Sequence, residues 1–340
     1  MDPTARDTEA RTTTRSPRAA RRILITGGAG FLGINAAAHF IKNGWHVSLL
    51  DNLSRPGTER NLKWLLTKHP DRTTFIKEDV RNGAALTEHV RGQDAVLHLA
   101  AQVAVTTSLA DPNTDFDVNA RGTVNVLEAV RTHNHDAPVV FASTNKVYGK
   151  LDHNNGPCKE TQPLDFHSPY GCSKGSADQY VRDYARCFGM NTVVLRQSCI
   201  YGAHQYGTED QGWVAHFVHS ILKDRPLTIY GDGTQVRDLL DARDLSDLYE
   251  VVVDKIAITR GEVYNVGGGP ENQRNLLEVI DQIGELTGRK PQFTFSDWRE
   301  GDQKYYVSDV GKARNDLGWE PRIDFDRGLR DLISWAESVN

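Results

Sequence analysis

The sequence predicts an α/β protein with a doubly wound parallel sheet and a smaller C-terminal lobe. Short apolar, β-branched runs alternate with segments of helical periodicity from residue 22 to about residue 200. A glycine-rich turn, GGAGFLG, joins the first such run to the first helical segment. Since parallel strands need a crossover to return the chain, usually a helix, this alternation indicates a parallel sheet.

The predicted strands follow one another at regular intervals. They are ILIT (23–26), WHVSLLD (45–51), TTFIKEDV (73–80), DAVLHLAA (94–101), PVVFAST (138–144) and NTVVLRQS (191–198). A helix is predicted over FLGINAAAHFIKNG, directly after the glycine turn. Another is predicted over residues 114–133, where Val118, Val124, Leu127 and Val130 form one apolar face.

After about residue 200 the alternation gives way to loops and short elements. We therefore predict a first domain over 22–200 and a smaller second lobe over 201–340, with part of the sheet returning after residue 235. Residues 1–22 hold six arginines against three acidic residues and no long apolar run. This composition predicts a disordered, solvated tail over 1–21 and no signal peptide.

The composition of the whole chain excludes several classes of protein. Among 340 residues, 39% are hydrophobic and 25% charged, as in ordinary soluble globular proteins. The formal charge of −5 argues against a nucleic-acid partner. No run approaches the roughly 18 apolar residues of a membrane span. The four cysteines form no CxxC pair and have no zinc-finger spacing, so we expect no metal site and a cytoplasmic protein.

The glycine turn predicts a phosphate-binding site. Gly27, Gly30 and Gly33 stand in a GxxGxxG frame: the first permits the turn, the second lets a pyrophosphate approach, and the third lets helix and strand pack. Asp51 ends the next strand, where an acidic residue bonds the ribose hydroxyls and favours NAD over NADP. Nearby Arg55 weakens that preference, and a plain turn is the alternative for the glycines. This is the fingerprint of a Rossmann-type fold, and NAD is the predicted cofactor.

Further candidates for the cofactor site lie at the ends of the first four strands, where ligands of open α/β sheets bind. The predicted cofactor-binding residues are Gly27, Gly30, Phe31, Leu32, Gly33, Asp51, Asn52, Ser54, Arg55, Asp79, Val80, Leu99, Ala100, Ala101, Tyr170 and Lys174.

A tyrosine and a lysine predict the catalytic chemistry. Tyr170 and Lys174 are four residues apart, so on a helix they share one face. A phenol with a pKa near 10 is a base at neutral pH only if nearby positive charge stabilises its phenolate, which Lys174 supplies. Thr144 ends the fifth strand, where its hydroxyl can bond the reacting alcohol oxygen. Together these residues predict an alcohol-oxidising site.

These motifs resemble the extended short-chain dehydrogenase/reductase family of nucleotide-sugar enzymes. The resemblance rests on GGAGFLG, Asp51-Asn52, ASTNKVYG and YGCSK, and it covers nearly everything after Arg22. It implies Thr144, Tyr170 and Lys174 as the catalytic residues and a C-terminal lobe that holds a nucleotide-sugar. It also implies a homo-oligomer, since dimers that pair two long helices are common in the family. The predicted substrate-binding residues are Gln102, Thr144, Asn145, Lys146, Gln211, Trp213, Arg237 and Arg299.

Three stretches are similar to the CDP-tyvelose (CDP-paratose 2-) epimerases of that family. They are QVAVTTSLADPNTDF, STNKVYGK and TEDQGWVAHF. The family's 4,6-dehydratases carry an Asp-Glu pair after the threonine, whereas this chain has Asn145 and Lys146. One departure is Gln197-Ser198-Cys199, where the 2-epimerases are expected to have His-Ser-Ser. Core packing is the alternative for Trp213, and a solvated surface charge for Lys146.

The resulting hypothesis is an NAD-dependent epimerase that inverts C2 of a CDP-hexose through a transient 2-keto sugar. The sugar is of the paratose/tyvelose type or glucose-like. Two alternatives stay open: a UDP-hexose 4-epimerase that uses the same residues, and a non-catalytic NAD-binding sensor.

Overall fold

A computed structural model describes residues 20–339 of the chain. The strands, in chain order, are β1 (Arg22–Thr26), β2 (His46–Asp51), β3 (Thr73–Lys77), β4 (Ala95–His98), β5 (Val139–Thr144), β6 (Thr192–Gln197), β7 (Cys199–Tyr201), β8 (Leu227–Tyr230), β9 (Val236–Asp241), β10 (Val263–Val266), β11 (Gln273–Asn275), β12 (Phe293–Ser296) and β13 (Tyr305–Tyr306). The α-helices are α1 (Phe31–Lys42), α2 (Thr58–Lys68), α3 (Gly83–Val90), α4 (Val105–Ala110), α5 (Pro112–Phe116), α6 (Gly122–His133), α7 (Ser168–Phe188), α8 (Trp213–Leu222), α9 (Ala242–Asp254), α10 (Ile256–Thr259), α11 (Leu276–Thr287), α12 (Gly311–Leu317) and α13 (Phe325–Val339).

Seven strands form the central sheet in the order β10-β6-β5-β4-β1-β2-β3, and every neighbouring pair is parallel. This confirms the predicted doubly wound parallel sheet. The six predicted runs all form strands of it, and β10 is the seventh. Several runs extend past the observed strands because their last residues leave the sheet at its carboxyl edge. Since β1 lies between β2 and β4, the strand order reverses there and opens a crevice for a ligand.

Helices cover both faces of the sheet. On one face α1 and α9 pack through buried residues such as Phe40 and Leu248. On the other, α3, α6 and α7 pack through Leu86, Leu127 and Val181. Because both faces are buried, the strands are continuous apolar runs rather than alternating ones, as expected of a parallel sheet.

The predicted helix over 114–133 is interrupted. It consists of α5, a π-helical turn at Asp117–Arg121, and α6. The wider turn adds residues per turn, so the side chains before it are rotated relative to those after it. Leu127 and Val130 are buried as predicted, but Val118 and Val124 are only half-buried. Val124, Leu127 and Val130 all lie in α6, after the turn, so only Val118 is rotated relative to the rest of the predicted face.

A smaller set of elements from the later part of the chain packs beside the carboxyl edge of the sheet. Strand β9 pairs with β7, β11 and β13, while β8 pairs with β12. Helices α8, α11 and α13 bury Val218, Ile280 and Leu332 in one common core. The domain boundary at 200/201 stays a prediction.

The predicted disordered tail lies outside the described residues, apart from Ala20 and Arg21. Across residues 20–339, the structure contains no helix with the length and apolar character that a membrane crossing requires.

Candidate active site

The glycine turn has the geometry of a phosphate cradle. Gly27 has φ +68°, and a β-carbon there would lie 2.7 Å from the amide nitrogen of Ala100. A β-carbon at Gly33 would lie 2.4 Å from the Gly27 carbonyl oxygen. At Gly30 the nearest atom would be that same oxygen, at 3.1 Å, so this position is more open. The turn therefore fits a dinucleotide, whose pyrophosphate would meet the amides at the start of α1.

Asp51 lies at the end of β2 and faces the glycine turn. Its carboxylate accepts hydrogen bonds from the amides of Ala29 (3.1 Å) and Leu53 (2.8 Å). Burial raises its pKa, and these amides together with the charge of Arg55 oppose that rise. The position suits a carboxylate that bonds ribose hydroxyls.

The end of β3 adds polar groups on the same side. Asp79 accepts hydrogen bonds from Asn52 (2.8 Å) and from Arg81, which hold the pKa of its carboxyl at about 2. Val80 is buried and would contact a β-carbon at Gly122, so it belongs to the core between β3 and α6.

A cavity of about 360 Å³ lies at the carboxyl edge of the sheet and reaches into the second lobe. Its wall combines residues predicted for the cofactor with residues predicted for catalysis and substrate. The predicted residues in the wall are Phe31, Leu32, Leu99, Ala101, Thr144, Asn145, Lys146, Tyr170, Lys174, Gln211, Trp213, Arg237 and Arg299. The other predicted residues lie outside this wall: Gly27, Gly30, Gly33, Asp51, Asn52, Ser54, Arg55, Asp79, Val80, Ala100 and Gln102.

Thr144, Tyr170 and Lys174 meet in this wall. Thr144 ends β5, and the other two lie in the first two turns of α7. Burial raises the pKa of Tyr170 to about 12, against a hydrogen bond with Thr144 that lowers it. The Lys174 ammonium donates to the Ala142 carbonyl oxygen at 2.5 Å and lies 4.2 Å from the ring centre of Phe141. Burial lowers its pKa to about 7. A ligand that brings charge close to Tyr170 and Lys174 can therefore shift the pKa values of both side chains.

A buried polar network, not foreseen from the sequence, supports this trio. Asp115 accepts hydrogen bonds from Ser173 (2.5 Å), Gln102 (3.0 Å) and Asn119 (3.1 Å). Ser173 lies between Tyr170 and Lys174 on α7. Gln102 and Ser173 are distant from Asp115 in sequence and meet it only in the folded chain, so no local motif indicates the network.

The structure corrects the prediction for Gln102. Its side-chain oxygen accepts from the Ala104 amide at 2.6 Å, and its nitrogen donates to Asp115 and to the Ala104 carbonyl. With donors and acceptor satisfied inside the protein, Gln102 shapes the loop after β4 and does not line the cavity.

Lys146 and Arg237 share one carboxylate in the wall. Lys146 Nζ lies 3.6 Å from Asp302 Oδ1 and donates to the Gly301 carbonyl oxygen at 3.3 Å. Arg237 Nη2 lies 3.3 Å from the same Asp302 oxygen. The Lys146 side chain is only 18% exposed, unlike a solvated surface charge. Burial and the charge of Arg237 lower its pKa to about 8, although Asp302 opposes them.

Arg299 lies at the far end of the cavity. Its guanidinium stacks on Tyr230 at 3.6 Å and pairs with Glu209 at 3.0 Å. Tyr230 also donates a short hydrogen bond to Glu209. Arg237 and Arg299 thus place two cations in the wall, as a diphosphate site requires.

Arg55 and Gln211 connect the two lobes. The Arg55 guanidinium donates a short hydrogen bond to the Gln211 side-chain oxygen, so the loop after β2 contacts the segment before α8. The charge of Arg55 also interacts with Tyr170 and Asp51. A residue predicted for the cofactor therefore contacts one predicted for the substrate.

A buried ion pair behind the site also escaped sequence analysis. Arg196 on β6 binds both carboxylate oxygens of Asp178 on α7, at 2.8 and 2.9 Å. Ser143 donates to the same carboxylate at 2.8 Å. The pair fixes α7 against the sheet. Across residues 20–339, no group of three or more His, Cys, Asp or Glu side chains has an arrangement that could hold a metal ion.

A family model, curated proteins and solved structures are similar to this chain over most of its length. The model of the GDP-mannose 4,6 dehydratase family matches residues 24–332. The chain is 41% identical to CDP-paratose 2-epimerase from Salmonella typhi, over 94% of this chain and 100% of that protein. It is 32% identical to a putative UDP-glucose 4-epimerase from Methanocaldococcus jannaschii, over 94% and 99%. The crystal structure of UDP-glucose 4-epimerase from Thermus thermophilus, in complex with NAD, superposes with a TM-score of 0.84 at 31% identity, covering 94% of this chain and 100% of that one.

Proposed function

The chain belongs to the extended short-chain dehydrogenase/reductase family, among its NAD-dependent nucleotide-sugar epimerases and dehydratases, and we propose that it inverts C2 of a CDP-hexose. It is an enzyme of this type, its cofactor is NAD and its substrate is a nucleotide-sugar. The identity of base, sugar and carbon is the proposal.

The observation that carries the proposal is the pair that follows Thr144. Asn145 and Lys146 both line the cavity, and neither side chain is a carboxylic acid. The 4,6-dehydratases of the family place an Asp-Glu pair at these two positions to eliminate water. An amide and an amine cannot replace that pair, so inversion is favoured over dehydration. The 41% identity to a CDP-paratose 2-epimerase supports CDP and C2.

In the proposed reaction Tyr170 and Thr144 handle the alcohol at C2. The C–H bond at this carbon is not acidic enough for simple deprotonation, so the centre is inverted by oxidation and reduction. Bound NAD supplies the hydride acceptor and donor, and its positive ring favours the phenolate. Tyr170 takes the C2 hydroxyl proton and later returns it, while Thr144 orients the oxygen. Lys174 contributes positive charge that lowers the pKa of the phenol.

The neutral 2-keto sugar must then present its other face before it is reduced. The diphosphate would stay on Arg237 and Arg299, so the sugar can turn while the nucleotide stays bound. Asn145, Lys146, Gln211 and Trp213 are the proposed contacts of the sugar. The cradle of Gly27, Gly30 and Gly33 with Asp51 is the proposed site of the cofactor.

Proton NMR of the protein with CDP-glucose, CDP-paratose or UDP-glucose in heavy water tests this function. We expect manno-type coupling between H1 and H2 in the product of a CDP-sugar, with no deuterium at C2, because the same hydride returns. Deuterium at C2 would contradict the redox route.

Other products would identify the alternatives. Galacto-type coupling from UDP-glucose would make the protein a 4-epimerase, the activity named for two of its relatives. No turnover of any of the three sugars, with NAD retained, would contradict the proposal and favour a sensor.

We also propose that the protein is a homo-oligomer, as implied by the family. Leu109, Phe116 and Tyr180 are large exposed apolar residues on the adjoining helices α4, α5 and α7. A second copy of the chain would cover them. Light scattering of the purified protein tests this, and a monomeric mass at all concentrations would refute it.

A further inference from the structure

Asp115 is a fully buried acidic residue that the mechanism above does not use. Three side chains approach its carboxylate: the Ser173 hydroxyl at 2.5 Å, the Gln102 amide at 3.0 Å and the Asn119 amide at 3.1 Å. All three act as donors. Because an ionised carboxylate only accepts hydrogen bonds, this set of partners suits the charged form of Asp115.

The charges around Asp115 come mainly from α7. Lys174 and Tyr170 lie near enough for their charges to interact with the carboxylate. Farther along α7, Asp178 also interacts with Lys174, but it already forms a two-point ion pair with Arg196. Asp178 favours the Lys174 ammonium more strongly than Asp115 does, but its charge is shared with Arg196. Asp115 is the second acid near Lys174, and its carboxylate is bonded only by neutral donors.

Two further titratable groups face these residues from other elements. His98, on β4, interacts with Lys174, but burial lowers its pKa to about 3, so it is neutral at physiological pH. Its ring nitrogens lie within hydrogen-bond distance of Thr26 (2.7 Å) and Thr123 (3.0 Å). Arg55 approaches Tyr170 from the loop after β2. Neither group neutralises Lys174.

We propose that Asp115 is a positioning residue that holds α7 through Ser173 and adds a negative charge that favours the ammonium form of the buried Lys174. It lies outside the cavity wall, so it acts through Tyr170 and Lys174 rather than on the sugar. This inference rests on the proposed roles of those two residues. It adds a function to a residue that the sequence motifs do not mark.

The proposal predicts how Asp115→Asn changes the pH profile of kcat. The neutral amide removes a negative charge beside Lys174, so the lysine loses its proton at lower pH. It also removes a negative charge beside Tyr170, so the phenol ionises at lower pH. Activity needs the Tyr170 phenolate and the Lys174 ammonium together, so kcat rises as the phenol ionises and falls as the lysine loses its proton. Both limbs of this pH profile should move about one pH unit lower. A purely structural role would reduce kcat without moving either limb.

Three variants serve as comparisons. Asp115→Glu keeps the charge and should restore both limbs. Ser173→Ala removes the hydroxyl but not the carboxylate, so kcat should fall with the limbs near their wild-type positions. Asp117→Asn, an exposed acid paired with Arg121 at 2.9 Å on the adjacent turn, is the matched control and should leave the profile unchanged. Unmoved limbs in Asp115→Asn would refute the proposal.

A second experiment needs no turnover. In the NAD-bound protein labelled with ¹³C at tyrosine Cζ, the Tyr170 signal is the one missing from Tyr170→Phe. Its titration should move to lower pH in Asp115→Asn, and an unchanged titration overturns the proposal. If it moves although no CDP-sugar is converted, the proposed function fails and the role of Asp115 stands.

If Asp115→Asn does not fold, the interaction between Asp115 and Lys174 can be measured by replacing Lys174 instead. In protein labelled with ¹³C at aspartate carboxyls, Lys174→Met should raise the pKa of the Asp115 carboxyl, because the cation that favours its ionised form is gone. An Asp115 signal that titrates as in the wild type would refute the pairing.

Discussion

At the scale of single residues, the reactivity of Tyr170 depends on what surrounds its hydroxyl. Burial is the main reason that the phenol pKa is raised to about 12, which would leave the group protonated at neutral pH. The hydrogen bond with Thr144 and the charge of Arg55 act in the opposite direction. Lys174 and the bound cofactor supply further positive charge in the proposed reaction. In the proposed reaction, Tyr170 therefore acts as a base only when these groups surround its hydroxyl.

Replacing Tyr170 with phenylalanine should remove the proton acceptor without changing the packing. We expect kcat to fall by about 10³-fold, within the range typical of general acid–base groups, with little change in NAD affinity. Steady-state kinetics and cofactor titration measure the two effects. Tyr180→Phe is the matched control, because Tyr180 is on the same helix and is 50% exposed. An equal loss in both variants would contradict the assignment.

Lys146 should make substrate binding dependent on pH. With its pKa near 8, the side chain is charged below that pH and neutral above it. We therefore expect KM to rise by about tenfold as the pH passes through 8, since hydrogen bonds from charged donors are the stronger ones. Lys146→Arg should keep a flat KM because arginine stays charged. If the KM of Lys146→Met still changes with pH, a group other than Lys146 causes the pH dependence.

At the scale of elements, the turn between β1 and α1 leaves little room for a side chain. Gly27→Ala introduces a side chain where φ is +68° and where the Ala100 backbone leaves no room. Gly44→Ala is the matched control: its φ is +87°, but nothing lies within 4 Å of the added carbon. Both should lose about 1–2 kcal/mol of stability from the backbone conformation alone.

The two glycine variants should differ in cofactor binding. Gly27→Ala shifts the loop that forms the phosphate cradle, so its affinity for NAD should fall by more than about tenfold. Gly44→Ala should bind NAD as the wild type does. Thermal denaturation and fluorescence titration separate the two effects. Equal affinities would mean that the turn can relax around a methyl group.

The strands of the central sheet could be predicted because each is a short, buried, β-branched run. The interruption after α5 could not, since a π-helical turn leaves no distinctive composition in DVNAR. The proposed catalytic pair of Tyr170 and Lys174 could be predicted from spacing, because both residues lie on one helix. Asp115 was not, because its partners Gln102 and Ser173 are 13 and 58 residues away.

Two segments contribute to the site in ways that only the folded chain reveals. Gln102 occupies a strand end like the other predicted ligands, yet the backbone of Ala104 satisfies its side chain. Arg196 and Asp178 are an ordinary strand residue and an ordinary helix residue in sequence, and only the crossing of β6 and α7 pairs them. The direction of the Gln102 side chain and the pairing of Arg196 with Asp178 both depend on the folded chain, so the sequence alone did not indicate them.

At the scale of the whole molecule, the contact between Arg55 and Gln211 joins the two halves of the crevice. Arg55 follows β2 of the central sheet, and Gln211 precedes α8 of the second lobe. A backbone pair between Thr208 and Gln211 (2.9 and 3.1 Å) makes the Gln211 segment compact. Closing the crevice would retain the cofactor and the keto sugar.

Arg55→Ala should therefore release NAD faster. A hydrogen bond to a charged group contributes enough for a change of about tenfold in the dissociation rate. Loss of cofactor absorbance after rapid gel filtration measures it. Arg60→Ala is the control, because Arg60 stacks near Tyr206 on the outer side at 5.5 Å. Equal release rates in both variants would show that this contact does not hold the crevice closed.

The sharing of Asp302 by Lys146 and Arg237 has a calorimetric consequence. Lys146 and Arg237 share the single carboxylate of Asp302, so the diphosphate of a bound nucleotide would add negative charge beside both cations. An anionic ligand raises the pKa of Lys146, so binding near pH 8 draws a proton from the buffer. The heat of binding should then vary with the ionisation enthalpy of the buffer. At pH 6, where Lys146 is already protonated, the heat should be the same in every buffer.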